Sequence, residues 1–220
     1  MRFGSRALLS ATVVTALALT GAACGSDKGG GGGGDALSVD RIRDLAAKTK
    51  DGADTCPVDW DLVAAAKAAG VEGRVGPQAG KDAVKGELPQ PDVPSPDDML
   101  ESVDGALLEC AYEINGEKAS VFASGAGKGR ATNMLLPLIA ATDELGMSKL
   151  SAYAEEAGKA GEGSVLLTPN NTAATVRLPE NGGDVVLTFV TGSTRADAKS
   201  SLTPDQVSRI AEELAGQVGG

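Results

Sequence analysis

The strongest constraint on the fold lies in residues 106 to 124. From Ala106 to Ile114 the side chains alternate, so that Leu108, Cys110, Tyr112 and Ile114 fall on one side of an extended strand and Glu109 and Glu113 on the other. Asn115-Gly116 follows, a dipeptide suited to the two positive φ angles of a tight hairpin turn, and Ala119 to Ser124 returns as the second strand. A two-residue turn can join only antiparallel strands, so an all-helical fold and a purely parallel sheet are both excluded.

The rest of the chain fills in around this hairpin. Ser38 is placed to cap a helix with Val39, Ile42, Leu45 and Ala46 on one face, and Trp60 to Ala69 reads as a second, alanine-rich helix stopped at Gly70. Residues 72 to 94 hold four glycines and four prolines with no sustained period, which predicts a long flexible loop. Ser95-Pro96-Asp97-Asp98 has the signature of a helix start, and Gly105 that of its close. A helical stripe runs from Met134 to Leu145, with Pro137 permitted only near a first turn or a kink, and a further helix runs from Ser148 to about Ala157. Ser164 to Thr168, Ala173 to Leu178 and Val185 to Thr191 predict a three-strand antiparallel meander. Thr203-Pro204-Asp205-Gln206 then opens a last helix whose apolar side is Val207, Ile210, Ala211, Leu214 and Val218. The order predicts an α+β fold in which an antiparallel sheet of about five strands, hairpin plus meander, packs with helices.

Residues 1 to 23 have the order of a secretory signal peptide: Arg2 and Arg6 without acids, then an apolar run, then Gly21-Ala22-Ala23. The apolar run is shorter than the roughly 20 residues that span a bilayer as a helix. Cys24 follows directly, and Leu19-Thr20-Gly21-Ala22-Ala23-Cys24-Gly25-Ser26 resembles the lipobox of bacterial lipoproteins. In that family the cysteine receives a diacylglycerol thioether, with palmitate among the acyl groups, and becomes the mature N-terminus. The family most often has Leu three residues before the cysteine, where this chain has Gly21. The alternative is a secreted protein cleaved after Ala23, with Cys24 as a free thiol. Lipidation implies anchoring on the extracytoplasmic face of the cell membrane, because two or more acyl chains turn a marginal hold into a stable one. Residues 24 to 35, with glycine from Gly29 to Gly34, read as a flexible tether, and residues 36 to 220 as a single globular domain.

Charge narrows the partners. Once Arg2 and Arg6 leave with the signal, 18 basic residues face 30 acidic ones, a net charge of −12, which repels nucleic acid and anionic headgroups alike. The membrane is therefore expected as a partner through covalent lipid and not through charge, beside an unknown envelope protein or small molecule. Aromatics beyond the signal are only Trp60, Tyr112, Phe122, Tyr153 and Phe189, too few for the stacking surfaces that bind sugars or single-stranded nucleic acid.

Cys56 and Cys110 are the only other cysteines, and in an oxidising compartment an even pair reads as a disulfide. Closing a loop of about 55 residues restricts the unfolded chain by roughly 4 kcal/mol in the entropy model. The alternative, a redox-active or metal-binding pair, has neither CxxC spacing nor a histidine beside it.

The chain contains no histidine, which removes the commonest general base and metal ligand together with every Ser-His-Asp arrangement. Gly125 to Thr132 is glycine-rich between a strand and a helix, but Gly129 follows Lys128 where a phosphate-binding P-loop needs Ser or Thr, leaving a basic connector or a bare anion contact. The adjacent acids Asp97-Asp98, Glu155-Glu156 and Glu212-Glu213 lie on predicted helices, where neighbours do not face each other. Asn170-Asn171-Thr172 matches a glycosylation pattern and reads more simply as a turn. No catalytic residue, cofactor site or metal site is assigned.

Asp54-Thr55-Cys56-Pro57, Leu62 to Gly70 and Glu109-Cys110-Ala111-Tyr112 resemble small actinobacterial lipoproteins of the LpqN-like kind, over roughly Asp54 to Phe122 and the anchor. The resemblance implies a sandwich related to the Mog1/PsbP-like fold and a binding or accessory role at the cell envelope. A non-enzymatic binding module is the leading expectation. The alternatives are an enzyme using carboxylates such as Glu109 or Glu113, and a structural or sensor subunit of a membrane complex.

Overall fold

A computed structural model of the chain describes residues 36–80, 83–87, 104–127, 130–179, 181–192 and 200–219. The hairpin is its spine. Strands β3 (Gly105–Ile114) and β4 (Glu117–Ala126) pair antiparallel in the register Ile114 to Glu117, with Asn115 at φ 52° and Gly116 at φ 82° between them. The later strands β5 (Val165–Leu167), β6 (Ala173–Arg177) and β7 (Asp184–Thr191) form the meander, and β7 joins it to the hairpin by pairing with β4.

Two further strands come from the stretch expected to be a loop. β1 (Val75–Pro77) and β2 (Val84–Glu87) both pair with the free side of β3, giving seven antiparallel strands in the order β1-β3-β4-β7-β6-β5 with β2 beside β1 on β3. These strands are three and four residues long and carry Pro77 and Gly86, so alternation has no room to show. Gly86 is required there: a Cβ would collide with the backbone of Ala46 in the helix above. Ala53 pairs with Val84 on the outer side of β2 and closes part of that edge. The other residues of the expected loop, and the helix expected from Ser95, lie outside the described residues; Gly105 begins β3 and ends no described helix.

Helices cover both faces of the sheet. On the face of Leu108, Cys110, Tyr112 and Ile114 lie α1 (Val39–Thr49), α2 (Leu62–Ala68) and α5 (Pro204–Val218). Ser38 Oγ accepts from the Arg41 N–H at 3.2 Å, and the carboxylate of Asp61 accepts from the Ala64 N–H at 2.8 Å, so both shorter helices begin on side-chain caps. Thr203 and Gln206 complete the capping box of α5, whose buried side is Val207, Ile210, Ala211, Leu214, Ala215 and Val218. It packs on β5, β6 and β7, as the apolar stripe led one to expect.

The opposite face is covered by a 3-10 turn (Ala131–Leu135), α3 (Leu136–Thr142) and α4 (Met147–Lys159), with Leu135, Ile139 and Tyr153 packed on Phe122, Val186 and Val190. The stripe predicted as one helix from Met134 to Leu145 divides here because Pro137, near the start of α3, has no N–H to donate to the preceding turn. Strands β4 and β7 are thus buried on both sides, and β7 is accordingly an almost unbroken apolar run.

Candidate functional site

Cys56 and Cys110 are bonded, with Cα atoms 5.6 Å apart. Cys110 is fully buried at the centre of β3 and Cys56 half-buried in the segment between α1 and α2, so the bridge ties that segment to the sheet. Cys24, the expected lipid site, lies outside the described residues. Among those that are described, no helix is long and apolar enough to cross a membrane and no group of three metal-ligating side chains converges.

Glu109 and Glu113 share the face of β3 that turns away from Cys110. Glu109 is half-buried and accepts from Ser120 Oγ at 2.9 Å; Glu113 is exposed, opposite Lys118. Four residues of strand separate their backbones by about 13 Å, and each meets a different residue of β4, Ser120 for Glu109 and Lys118 for Glu113.

The glycine-rich connector runs from the end of β4 into the 3-10 turn, with residues 128–129 outside the described set. Its first turn N–H, that of Ala131, donates to the Asp184 carboxylate at 2.7 Å. An acid therefore occupies the place where an anion would have met that backbone. Asp184 also faces Arg177, Nε to Oδ1 3.4 Å, with both side chains mostly buried. Of the acidic pairs, Asp97-Asp98 lies outside the described residues; among the rest, Glu155 pairs with Lys159, and Glu212 and Glu213 with Arg209, at the surface. The last three, with Gly216 and Gln217, line a shallow open depression on the outer side of α5.

Two buried polar groupings escaped the sequence reading. Asp143, 1 % exposed after the last turn of α3, accepts from Thr168 Oγ1 at 3.0 Å, from the N–H of Asn170 at 2.8 Å and of Thr172 at 3.3 Å, and from the Thr172 hydroxyl. Asn170 Nδ2 donates to the Asp143 carbonyl. The Asn170-Asn171-Thr172 sequence is thus a turn, as read, and it is clamped to the helix layer by one carboxylate. The only sequence signal was Asp143 itself, standing in an otherwise apolar stripe.

The second grouping is a chain of hydroxyls between sheet and helices. Tyr153 donates to Thr175 Oγ1 at 2.8 Å, and Thr175 and Thr188 are joined at 2.9 Å across β6 and β7. Burial pushes the Tyr153 phenol up to about 12, with the Thr175 bond pulling the other way; burial alone takes Tyr112 to about 12 on the opposite face. Three hydroxyls in series hold the layers in register. In comparisons with protein-family models, curated proteins and solved structures, nothing matches the chain.

Proposed function

We propose that the chain is a lipoprotein held by acyl chains on Cys24 at the extracytoplasmic face of the cell membrane, where it acts as a non-enzymatic binding or accessory module. The observation that carries this reading is the order of the N-terminal sequence: basic residues, a short apolar run, small residues, cysteine and a glycine-rich stretch. The Cys56–Cys110 disulfide supports it independently of the N-terminus, since such bonds persist in oxidising compartments. Helices on both faces of an antiparallel sheet support the finer proposal of a Mog1/PsbP-like sandwich. The binding role rests on the resemblance of Asp54 to Phe122 to LpqN-like lipoproteins, which implies a binding or accessory part at the envelope.

Fractionation of cells expressing the Cys24→Ser variant tests the anchor. The variant is expected to leave the membrane fraction with its disulfide intact. Full membrane retention of a variant whose signal peptide has been removed would overturn the proposal. Capture of a defined partner from detergent-solubilised membranes by the unaltered protein, lost on competition with excess soluble domain, tests the binding role.

A further inference from the structure

The chain contains two Asn-Gly pairs, Asn115-Gly116 and Asn181-Gly182, and the fold treats them in opposite ways. Asn-Gly is the sequence most open to spontaneous loss of the side-chain amide, because glycine has no Cβ to shield its backbone nitrogen. In that reaction the Gly nitrogen forms a bond to the Asn Cγ, and the Cγ–amide bond breaks to release ammonia and leave a succinimide ring. Water then opens the ring at either carbonyl. Opening at the side-chain carbonyl gives aspartate, and opening at the backbone carbonyl gives isoaspartate, whose main chain is one methylene longer. Water is the only co-reactant, and each event adds one negative charge.

For the ring to close, the Asn amide must be free to swing onto the next residue's nitrogen. Asn115 is not free. Its Oδ1 accepts from the Arg74 N–H at 2.8 Å, its Nδ2 donates to the Glu72 carbonyl at 2.9 Å, and its own N–H donates to the Arg74 carbonyl at 2.7 Å. Gly73 makes the seat possible, since a Cβ there would overlap the Asn115 amide. Both side-chain bonds must break before Cγ can reach Gly116. Asn181 is exposed, and its side chain has no hydrogen-bond partner among the described residues. Gly182 follows at φ 77° and Gly183 at φ 147°, in the turn between β6 and β7.

We infer that Asn181 is the chain's site of spontaneous deamidation and isoaspartate formation, and that the superficially equivalent Asn115 is protected by its seat on Glu72 and Arg74. The Asn181 carbonyl accepts the N–H of Val39, the first residue of α1, at 3.2 Å. In isoaspartate that carbonyl leaves the main chain as a free carboxylate and the added methylene shifts the backbone that positioned it, so isoaspartate formation loosens the start of α1.

The test is peptide mapping by mass spectrometry of the full chain, aged at mildly alkaline pH either folded or unfolded in denaturant with its disulfide reduced. In the folded chain Asn181 is expected to convert at least about tenfold faster than Asn115, the factor set by breaking two ordinary hydrogen bonds. In the unfolded chain the two should convert at similar rates. The Val39 amide should exchange its hydrogen faster in the isoaspartate fraction than in unaged protein, and the Asn181→Ser variant should show no acidic shift on ageing. Folded-state conversion of Asn115 as fast as that of Asn181, or no conversion of Asn181 in folded chain that converts when unfolded, would overturn the inference.

Discussion

Asp143 is the residue whose removal should be felt most for its size. Its carboxylate is the common acceptor for two backbone N–H groups and two hydroxyls in the turn between β5 and β6. In an Asp143→Ala variant the hydroxyls have somewhere to go, since that of Thr168 already lies 3.3 Å from the Ala173 carbonyl. The N–H groups of Asn170 and Thr172 do not, because the backbone fixes their direction. Stranding a donor of this kind costs about 1 to 3 kcal/mol, and partial access of water to the turn keeps the total below the sum of the maxima, at about 2 to 4 kcal/mol. Asp143→Asn should recover little of this, because its amide nitrogen turns a donor toward donors. The assay is equilibrium unfolding in urea, followed by the fluorescence of Trp60, the chain's one tryptophan, which is buried. Hydrogen exchange should locate the loss at Asn170 and Thr172 before global unfolding. A variant within about 0.5 kcal/mol of the parent, the scatter of neutral surface changes, would refute the view that this carboxylate clamps the two layers.

Gly86→Ala should cost about 1 to 3 kcal/mol or more, because its Cβ meets the backbone of α1 at Ala46, which can yield only by moving the helix. Gly158→Ala is the control: the nearest atoms its Cβ meets belong to the flexible end of the exposed Arg130 side chain, so the gain in helix propensity should leave stability unchanged or slightly raised in the same unfolding assay. Leu214→Ala empties a fully buried site of α5 and should destabilise the fold by roughly 2 to 5 kcal/mol in thermal or urea unfolding; an unchanged stability would mean that α5 is not part of the core. The chain's two tyrosines, Tyr112 and Tyr153, are raised from 10.0 to about 12, so their contribution to stability is complete below pH 10 and is lost as pH rises through about 12. Near-ultraviolet absorbance should accordingly show no phenolate near pH 10 in the folded protein, and an ordinary titration there would contradict the burial of both rings.

The elements that announced themselves in the sequence did so through local chemistry. Asn115-Gly116 between alternating runs is readable because the turn type demands those residues. The Thr203 capping box is readable because the side chains that bond the helix end lie within four positions of it. β1 and β2 were not readable because they are defined by β3 on one side and by a helix above, α2 for β1 and α1 for β2, with nothing of their own to repeat. Pro77 and Gly86, which argued for a loop, are residues that a short edge strand tolerates or a close helix requires. The burial of the sheet on both faces was only hinted at by the apolar run of β7. The Asp143 clamp was invisible for a different reason: its donors lie 25 to 29 residues away, and no spacing rule connects them. The seat of Asn115 on Glu72 and Arg74 was hidden in the same way, across some 40 residues.

Mass spectrometry of the intact protein extracted from membranes with detergent tests the lipid anchor itself. The expected chain begins at Cys24, carries the added mass of a diacylglycerol thioether and, after proteolysis, shows that mass on the N-terminal peptide. An unmodified N-terminal peptide beginning at Cys24, or the protein recovered from the medium with Cys24 as a free thiol, would contradict it.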